Sequence, residues 1–140
     1  MKAFDADVLI YAARDPSEPR GMQVLRLLLW DGASAQDPAG VGSVLLLPEV
    51  LSKPLRLGAA AEVKRLQVLL ARLELLPVDA LTAELAVSLG ATYGLRAADA
   101  VHLATAVNAG ADCFVTNNQR DFPKSIEEIE IVYPEDLDAA

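Results

Sequence analysis

The residues with the most chemical potential are acids placed where acids are expensive. Residues 3–13 read AFDADVLIYAA, a stretch suited to a core, yet it carries Asp5 and Asp7. Burying an unpaired carboxylate costs several kcal/mol, so either these acids reach the surface at a strand end or something positive meets them. Three further segments repeat the pattern. LLPEVL sets Glu49 between apolar neighbours, and LRAADAVHLATAV sets Asp99 near the start of an alanine-rich run. CFVTNNQRDF sets Thr116, Asn117, Asn118 and Asp121 just after an apolar run. Carboxylates brought together raise one another's pKa, and a hard divalent cation removes that penalty. Oxygen ligands suit Mg²⁺ or Mn²⁺. One His and one Cys in the chain argue against a structural zinc site.

The elements that must position these groups follow from pattern. Residues 3–6 read as a short buried strand, and residues 14–19, with two prolines, as a polar loop. Residues 22–30 have helical spacing, and 32–42 are small and polar, a loop. Ser43 is a plausible helix N-cap, while Pro48 suggests a kink or a later helix start. Residues 59–73 form an amphipathic helix, 75–78 a short strand, and Asp79 a cap for a helix over 80–90. A helix over 97–109, a buried strand over 112–116 and a last strand over 129–133 complete the reading. Strands alternating with helices imply an α/β layer fold with a mainly parallel sheet. Functional groups in such sheets gather beyond the carboxyl ends of strands, where Asp5 and Thr116 fall.

Composition narrows the function classes. The chain has 140 residues, the size of one domain, and 53% hydrophobic residues, enough for a real core. It has no apolar run of membrane-spanning length and no basic leader before an apolar stretch, so neither a membrane span nor a signal peptide is expected. The single Cys113 allows no internal disulfide and suits a reducing cytoplasm. A net charge of −8 argues against a surface built to coat nucleic acid. It leaves room for an enzyme that reaches nucleic acid through cations in an acidic pocket.

Each acid also has a plainer explanation. Asp99 at a helix start interacts favourably with the helix dipole, worth about 0.3–1 kcal/mol. Glu49 could pair with Lys53 one turn on. Asp7 could cap the helical turn VLIYAA. Thr116 and Asn118 could shape the turn after their strand. His102, one turn after Asp99, reads as a packed or surface histidine. Asp5 has the weakest explanation of this kind, because an apolar strand offers an acid little.

Taken in order, DxD-V-L-I-Y, S-x5-E, A-A-D-A-x-H-L-A-T-A and A-D-x-F-V-T-N-N-x-R-D-F resemble the PIN domain, and within it VapC-like toxins. The resemblance runs from Asp5 to Phe122, and residues 95–122 are its most specific part. It implies an α/β/α sandwich and a metal-dependent ribonuclease. It matches Asp5, Glu49 and Asp99 to the family's first three acids, and Thr116 to a hydroxyl residue lining the pocket. Many relatives carry an Asp directly after T-N; here Asn118 stands there, with Asp121 as the nearby substitute. On this reading Asp5 and Asp99 hold the principal Mg²⁺ or Mn²⁺, and Glu49 completes the set. Asn118 or Asp121 positions water or a second ion, and Thr116 orients that network. Arg14, Arg96 and Arg120 could contact phosphate or form surface ion pairs. The resemblance also implies an RNA substrate, an antitoxin docking an Arg-bearing segment into the pocket, and a homodimer, for which helices 22–30 and 59–73 offer apolar faces. Two alternatives stand beside it. One is a non-catalytic PIN-like module that binds RNA or protein, with Asn118 marking a lost position. The other is a haloacid dehalogenase-like phosphatase, which shares the DxD opening with Asp5 as nucleophile and Asp7 as acid/base, but for which too little chain follows Thr116.

Overall fold

The computed structural model describes residues 1–15, 17–30 and 37–139. The chain opens with β1 (Lys2–Phe4), α1 (Ala6–Arg14) and α2 (Pro19–Leu25), whose last turn continues as a π-helical turn over Arg26–Trp30. Then come β2 (Gly40–Ser43), α3 (Leu46–Arg56), α4 (Ala60–Leu70) and β3 (Leu73–Leu76). The chain continues through α5 (Ala80–Tyr93), α6 (Ala97–Asn108), β4 (Cys113–Val115) and β5 (Glu130–Val132), and a 3-10 turn over Pro134–Ala139 follows.

The five strands pair in the order β3-β2-β1-β4-β5, all parallel. Successive side chains of a strand point to opposite faces, and the burial follows that rule. Phe4 and Val115 pack on one face with Val8, Leu9, Leu28, Leu46, Val50 and Leu66 from the first four helices. Ala3 and Phe114 pack on the other with Leu89 of α5 and Leu103 of α6. The sheet is thus covered on both sides, the α/β/α arrangement expected. The chain winds outward from β1 to β2 and β3, then returns to add β4 and β5 on the other side. The reversal falls between β1 and β4, and the crevice beyond their carboxyl ends is where such sheets collect ligand-binding groups.

Local chemistry explains most boundaries. Asp79 caps α5, its Oδ1 accepting from the Thr82 amide at 2.9 Å and from Thr82 Oγ1 at 2.8 Å. Gly94 ends the helix at φ +67, the left-handed conformation that glycine adopts without steric penalty. Arg65 of α4 donates to the Ala13 carbonyl at 2.6 Å and so satisfies the carboxyl end of α1.

Three expectations are corrected. Residues 40–43 lie in a buried strand, not in a loop; a Cβ at Gly40 would come within 2.5 Å of the Lys2 carbonyl, so the close approach to β1 needs glycine there. Residues 32–36 of the expected loop, and Pro16 of the earlier one, lie outside the described residues. Ser43 ends β2 instead of capping α3, and its Oγ accepts from the Leu45 amide at 3.1 Å. The helix starts later, which leaves Pro48 in its first turn where no backbone N–H needs an intrahelical partner. Asp5, not Asp7, caps α1. Among the described residues no helix is long and apolar enough to cross a membrane.

Candidate active site

Asp5 leaves β1 at its carboxyl end and begins α1 in one residue. Its amide donates to the Val115 carbonyl at 2.9 Å, which extends the β1–β4 pairing. Its Oδ1 accepts from the Ala6 amide at 2.8 Å, the N-cap bond, and its Oδ2 accepts from Thr116 Oγ1 at 2.8 Å. The side chain is therefore held by a helix start and by the residue after β4, with the whole residue only 4% exposed. Burial first, and the Asp7 charge second, push its carboxyl up to about 7; His102, the Thr116 hydroxyl and the Ala6 amide oppose them.

The loop after β4 is built around this acid. Thr116 Oγ1 donates to Asp5 and accepts from the Asn118 amide at 3.0 Å. The Asn117 amide donates to Asp7 Oδ1 at 3.1 Å, so Asp7 ties α1 to the loop. Asn118 and Asp121 bind one another: Asn118 Nδ2 donates to Asp121 Oδ2 at 2.9 Å, and the Asp121 amide returns a bond to Asn118 Oδ1 at 3.2 Å. The two candidates for the fourth polar position thus form a single unit. Thr116 and Asn118 do shape the turn, as their plainer explanation has it, while Thr116 also holds Asp5.

Asp99 lies in the first turn of α6 and is half-buried. Burial raises its carboxyl pKa, and the charges of Asp121 and Glu49 raise it further, while His102 and Arg96 pull the other way. Asp7 is raised too, first by burial, with the Asp99 charge adding and the Asn117 amide opposing. These mutual influences bring Asp5, Asp7, Asp99, Glu49 and Asp121 into one electrostatic neighbourhood. Among the described residues, none of Asp5, Asp7 and Asp99 forms an ion pair with Lys or Arg.

Glu49 turns from α3 to α6 and meets His102 Nε2 instead of Lys53. His102 is buried, as a packed histidine would be, yet it packs against the acids. Burial alone would lower its pKa; the Glu49 bond and the charges of Asp5, Glu49 and Asp99 outweigh that and raise it.

The donor set suits a hard cation. It is made of carboxylate oxygens, two of them on carboxyls raised by burial and by like charge, and a divalent ion would relieve both costs. Asp5, Asp99 and Glu49 are the residues that could hold it, with Asp121 beside them. As the side chains stand, no three His, Cys, Asp or Glu groups among the described residues are arranged to hold one ion. Unscreened carboxylates repel one another, and Glu49 is drawn onto His102.

The arginines divide between the two roles expected of them. Arg14 pairs with Glu62 at 3.2 Å, Arg96 acts on Asp99, and Arg120 is exposed. Arg20, absent from the sequence reading, donates to Asn117 Oδ1 at 3.5 Å and lies 3.8 Å from Glu135. Asp7 and His102 were likewise read as cap and packing. The signals that could have found them are Asp7's place two residues after Asp5 and His102's place one turn after Asp99 on the same helical face.

The order of strands and the grouping of acids at the β1–β4 reversal can be set against known proteins. No curated protein matches this sequence. A toxin-antitoxin complex from Klebsiella pneumoniae contains a chain of similar fold, with a TM-score of 0.71 and 24% sequence identity. The superposition covers 96% of this chain and 98% of that one. The PIN domain family matches residues 2–125, a span that holds β1 to β4 and Asp5, Asp7, Glu49, Asp99 and Asp121. A haloacid dehalogenase-like phosphatase is thereby set aside: this chain belongs to the PIN domain family.

Proposed function

We propose that the protein is a metal-dependent ribonuclease that hydrolyses RNA phosphodiester bonds, and that it serves as the toxin of a type II toxin–antitoxin pair. The observation that carries the reading is Asp5. A buried carboxylate held by Thr116 at the reversal point of a PIN domain sheet, among further acids and without a Lys or Arg partner, is a feature whose cost exceeds what its N-cap bond to α1 returns. A cation makes it useful.

Asp5 and Asp99 would hold the principal Mg²⁺ or Mn²⁺, with Glu49 completing the set. The ion, when bound, lowers the pKa of a water and offsets charge developing on phosphate. The chain's own residues do the rest. Thr116 fixes the Asp5 carboxylate by donating to Oδ2, so the acid keeps one orientation. The Asn118–Asp121 unit borders the acids and orients water or a second ion there. Arg96, beside Asp99, and Arg20, at Asn117, would meet the phosphate backbone of an RNA that approaches an otherwise acidic chain.

The same acids suit an antitoxin that inserts an arginine among them, since a guanidinium pairs well with carboxylates. The structural likeness to a chain from a toxin-antitoxin complex supports a partner of this kind. The segments expected as helices 22–30 and 59–73, in the structure α2 with its π-helical turn and α4, chiefly supply core, through Val24, Leu28, Val63, Leu66 and Leu69. A homodimer remains part of the proposal, and sedimentation of the isolated protein reads it. The proposal takes residues 1–140 as one domain working in the cytoplasm, where its RNA is.

The test is cleavage of labelled single-stranded and structured RNA with Mg²⁺, Mn²⁺ or EDTA, with Asp5→Asn prepared identically. Metal-dependent cutting lost in the variant supports the reading. No cutting by the wild type, with no metal-induced thermal stabilisation, sinks it and favours a binding module. Asn118 in place of an acid is the observation on that side, and Asp121 in hydrogen-bond contact with it is the answer.

A further inference from the structure

We propose that His102 is a positioning residue for Glu49. The imidazole pins one carboxylate oxygen, so that the other is turned toward the cation shared with Asp5 and Asp99; this rests on the metal-dependent reading above.

Three observations converge. The His102 side chain is only 1% exposed, while that of Glu49 is 35% exposed. A half-exposed glutamate has water on one side and Lys53 one turn along its own helix, yet it is bonded across the crevice to a buried ring on α6, 53 residues away. Because an ionised carboxylate only accepts, Nε2 carries the proton in that bond. Second, His102 Nδ1 is buried with no hydrogen-bond partner among the described residues. The ring is therefore not buried to satisfy its own polar groups: one nitrogen stays unpaired while the other serves Glu49. Buried polar atoms left unpaired are uncommon, and each calls for an explanation, a functional role among them. Third, His102 follows Asp99 by one helical turn, so α6 presents one acid to the site and the holder of another from the same face.

Polar groups that orient a metal-binding side chain typically matter 10–100-fold for metal affinity. A ring that merely ties α3 to α6 would change stability and leave the ion's affinity alone. Mn²⁺ binding, read by loss of the free-ion signal in electron paramagnetic resonance, separates the two. His102→Leu keeps bulk and removes the donor, and is expected to weaken Mn²⁺ binding about 10-fold or more. His102→Gln places an amide nitrogen near the Nε2 position and is expected to recover most of that loss. His102→Asn reaches only the Nδ1 position and carries the same expectation as leucine, which covers a leucine variant that fails to fold. In a Glu49→Gln background the leucine or asparagine change is expected to add nothing further, because His102 acts through Glu49.

Wild-type affinity in both His102→Leu and His102→Asn overturns the proposal, as does a loss that persists undiminished without Glu49. If these variants bind normally while Asp5→Asn does not, only the role of His102 falls. If the wild type binds no Mn²⁺, this proposal falls together with the metal-dependent reading.

Discussion

The two ends of the β1–β4 strand pair treat an aspartate in opposite ways. At the amino end, Asp112 meets the Met1 amino group at 2.5 Å, is well exposed, and has its pKa lowered first by that bond and then by the charge. At the carboxyl end, Asp5 is buried, meets a hydroxyl and an amide instead of a cation, and has its pKa raised. The strands and their register are shared, with Lys2 beside Cys113 and Phe4 beside Val115. The difference is what surrounds each acid. An exposed pair in water contributes little and costs little. A buried carboxylate without a cationic partner costs more, and its hydrogen bonds to Thr116 and Ala6 offset only part of that cost. The contrast supports the proposal that the carboxyl end is the working end.

The largest expected effect breaks the contrast at its centre. Asp5→Asn removes a charge the proposed cation needs, and RNA cleavage should fall by at least about 100-fold, measured as initial rate in saturating Mn²⁺. The same substitution should strengthen the metal-free fold at neutral pH. A raised acid binds its proton more tightly folded than unfolded, so stability is lost as pH rises from the ordinary value of 3.8 to about 7. The gain from asparagine should therefore be absent near pH 3.8, grow with pH, and level off above about 7. Its ceiling is on the order of 4 kcal/mol, from about 1.4 kcal/mol per pH unit. Urea unfolding of both proteins with EDTA across that range measures it; parallel curves for the two would show that Asp5 is not stressed.

Thr116→Val sharpens the comparison from the other side. It removes the donor to Asp5 and leaves the Asn118 amide without its acceptor. The metal-free protein should lose about 1–3 kcal/mol of stability. Cleavage should fall about 10- to 100-fold, less than for Asp5→Asn, because the acid survives but is no longer oriented.

Asn118→Asp places a second carboxylate against Asp121 and removes the Nδ2 donor. Thermal melting in EDTA should drop, and Mn²⁺ should restore it by a larger margin than in the wild type. An equal Mn²⁺ response in both would place this pair outside the cation's reach. Asp112→Asn should have the smallest effect, with cleavage unchanged and little change in melting at neutral pH. Its contribution has the opposite pH sense to that of Asp5, since a lowered acid loses its stabilising effect only as pH falls below the ordinary 3.8.

Much of this arrangement was legible without coordinates. Asp5, Glu49, Asp99 and the polar run from Thr116 to Asp121 stand out because each interrupts an apolar stretch, and the alternation of strands and helices places their ends on one edge. β2 was not legible, because Gly40, Val41 and Gly42 read as the end of a loop and Ser43 as a helix cap. Glycine is demanded there by the nearness of β1, a contact between segments far apart in the chain. Asp7 was misread for a related reason. Either acid of the DxD pair could cap the following helix, and Asp5 takes the role because its amide completes the pairing with Val115.

Local sequence by itself determined which side chains are expensive to bury and, β2 apart, which segments would be strands or helices, because those preferences act over a few neighbouring residues. Only the tertiary structure decided what each acid faces. It set Glu49 against His102 instead of Lys53, joined Asn118 to Asp121, and gave Asp5 a hydroxyl where Asp112 has an ammonium. Those outcomes depend on Coulomb and hydrogen-bond terms between groups 53 to 111 residues apart in two of these cases, and such terms have no value until packing brings the groups together.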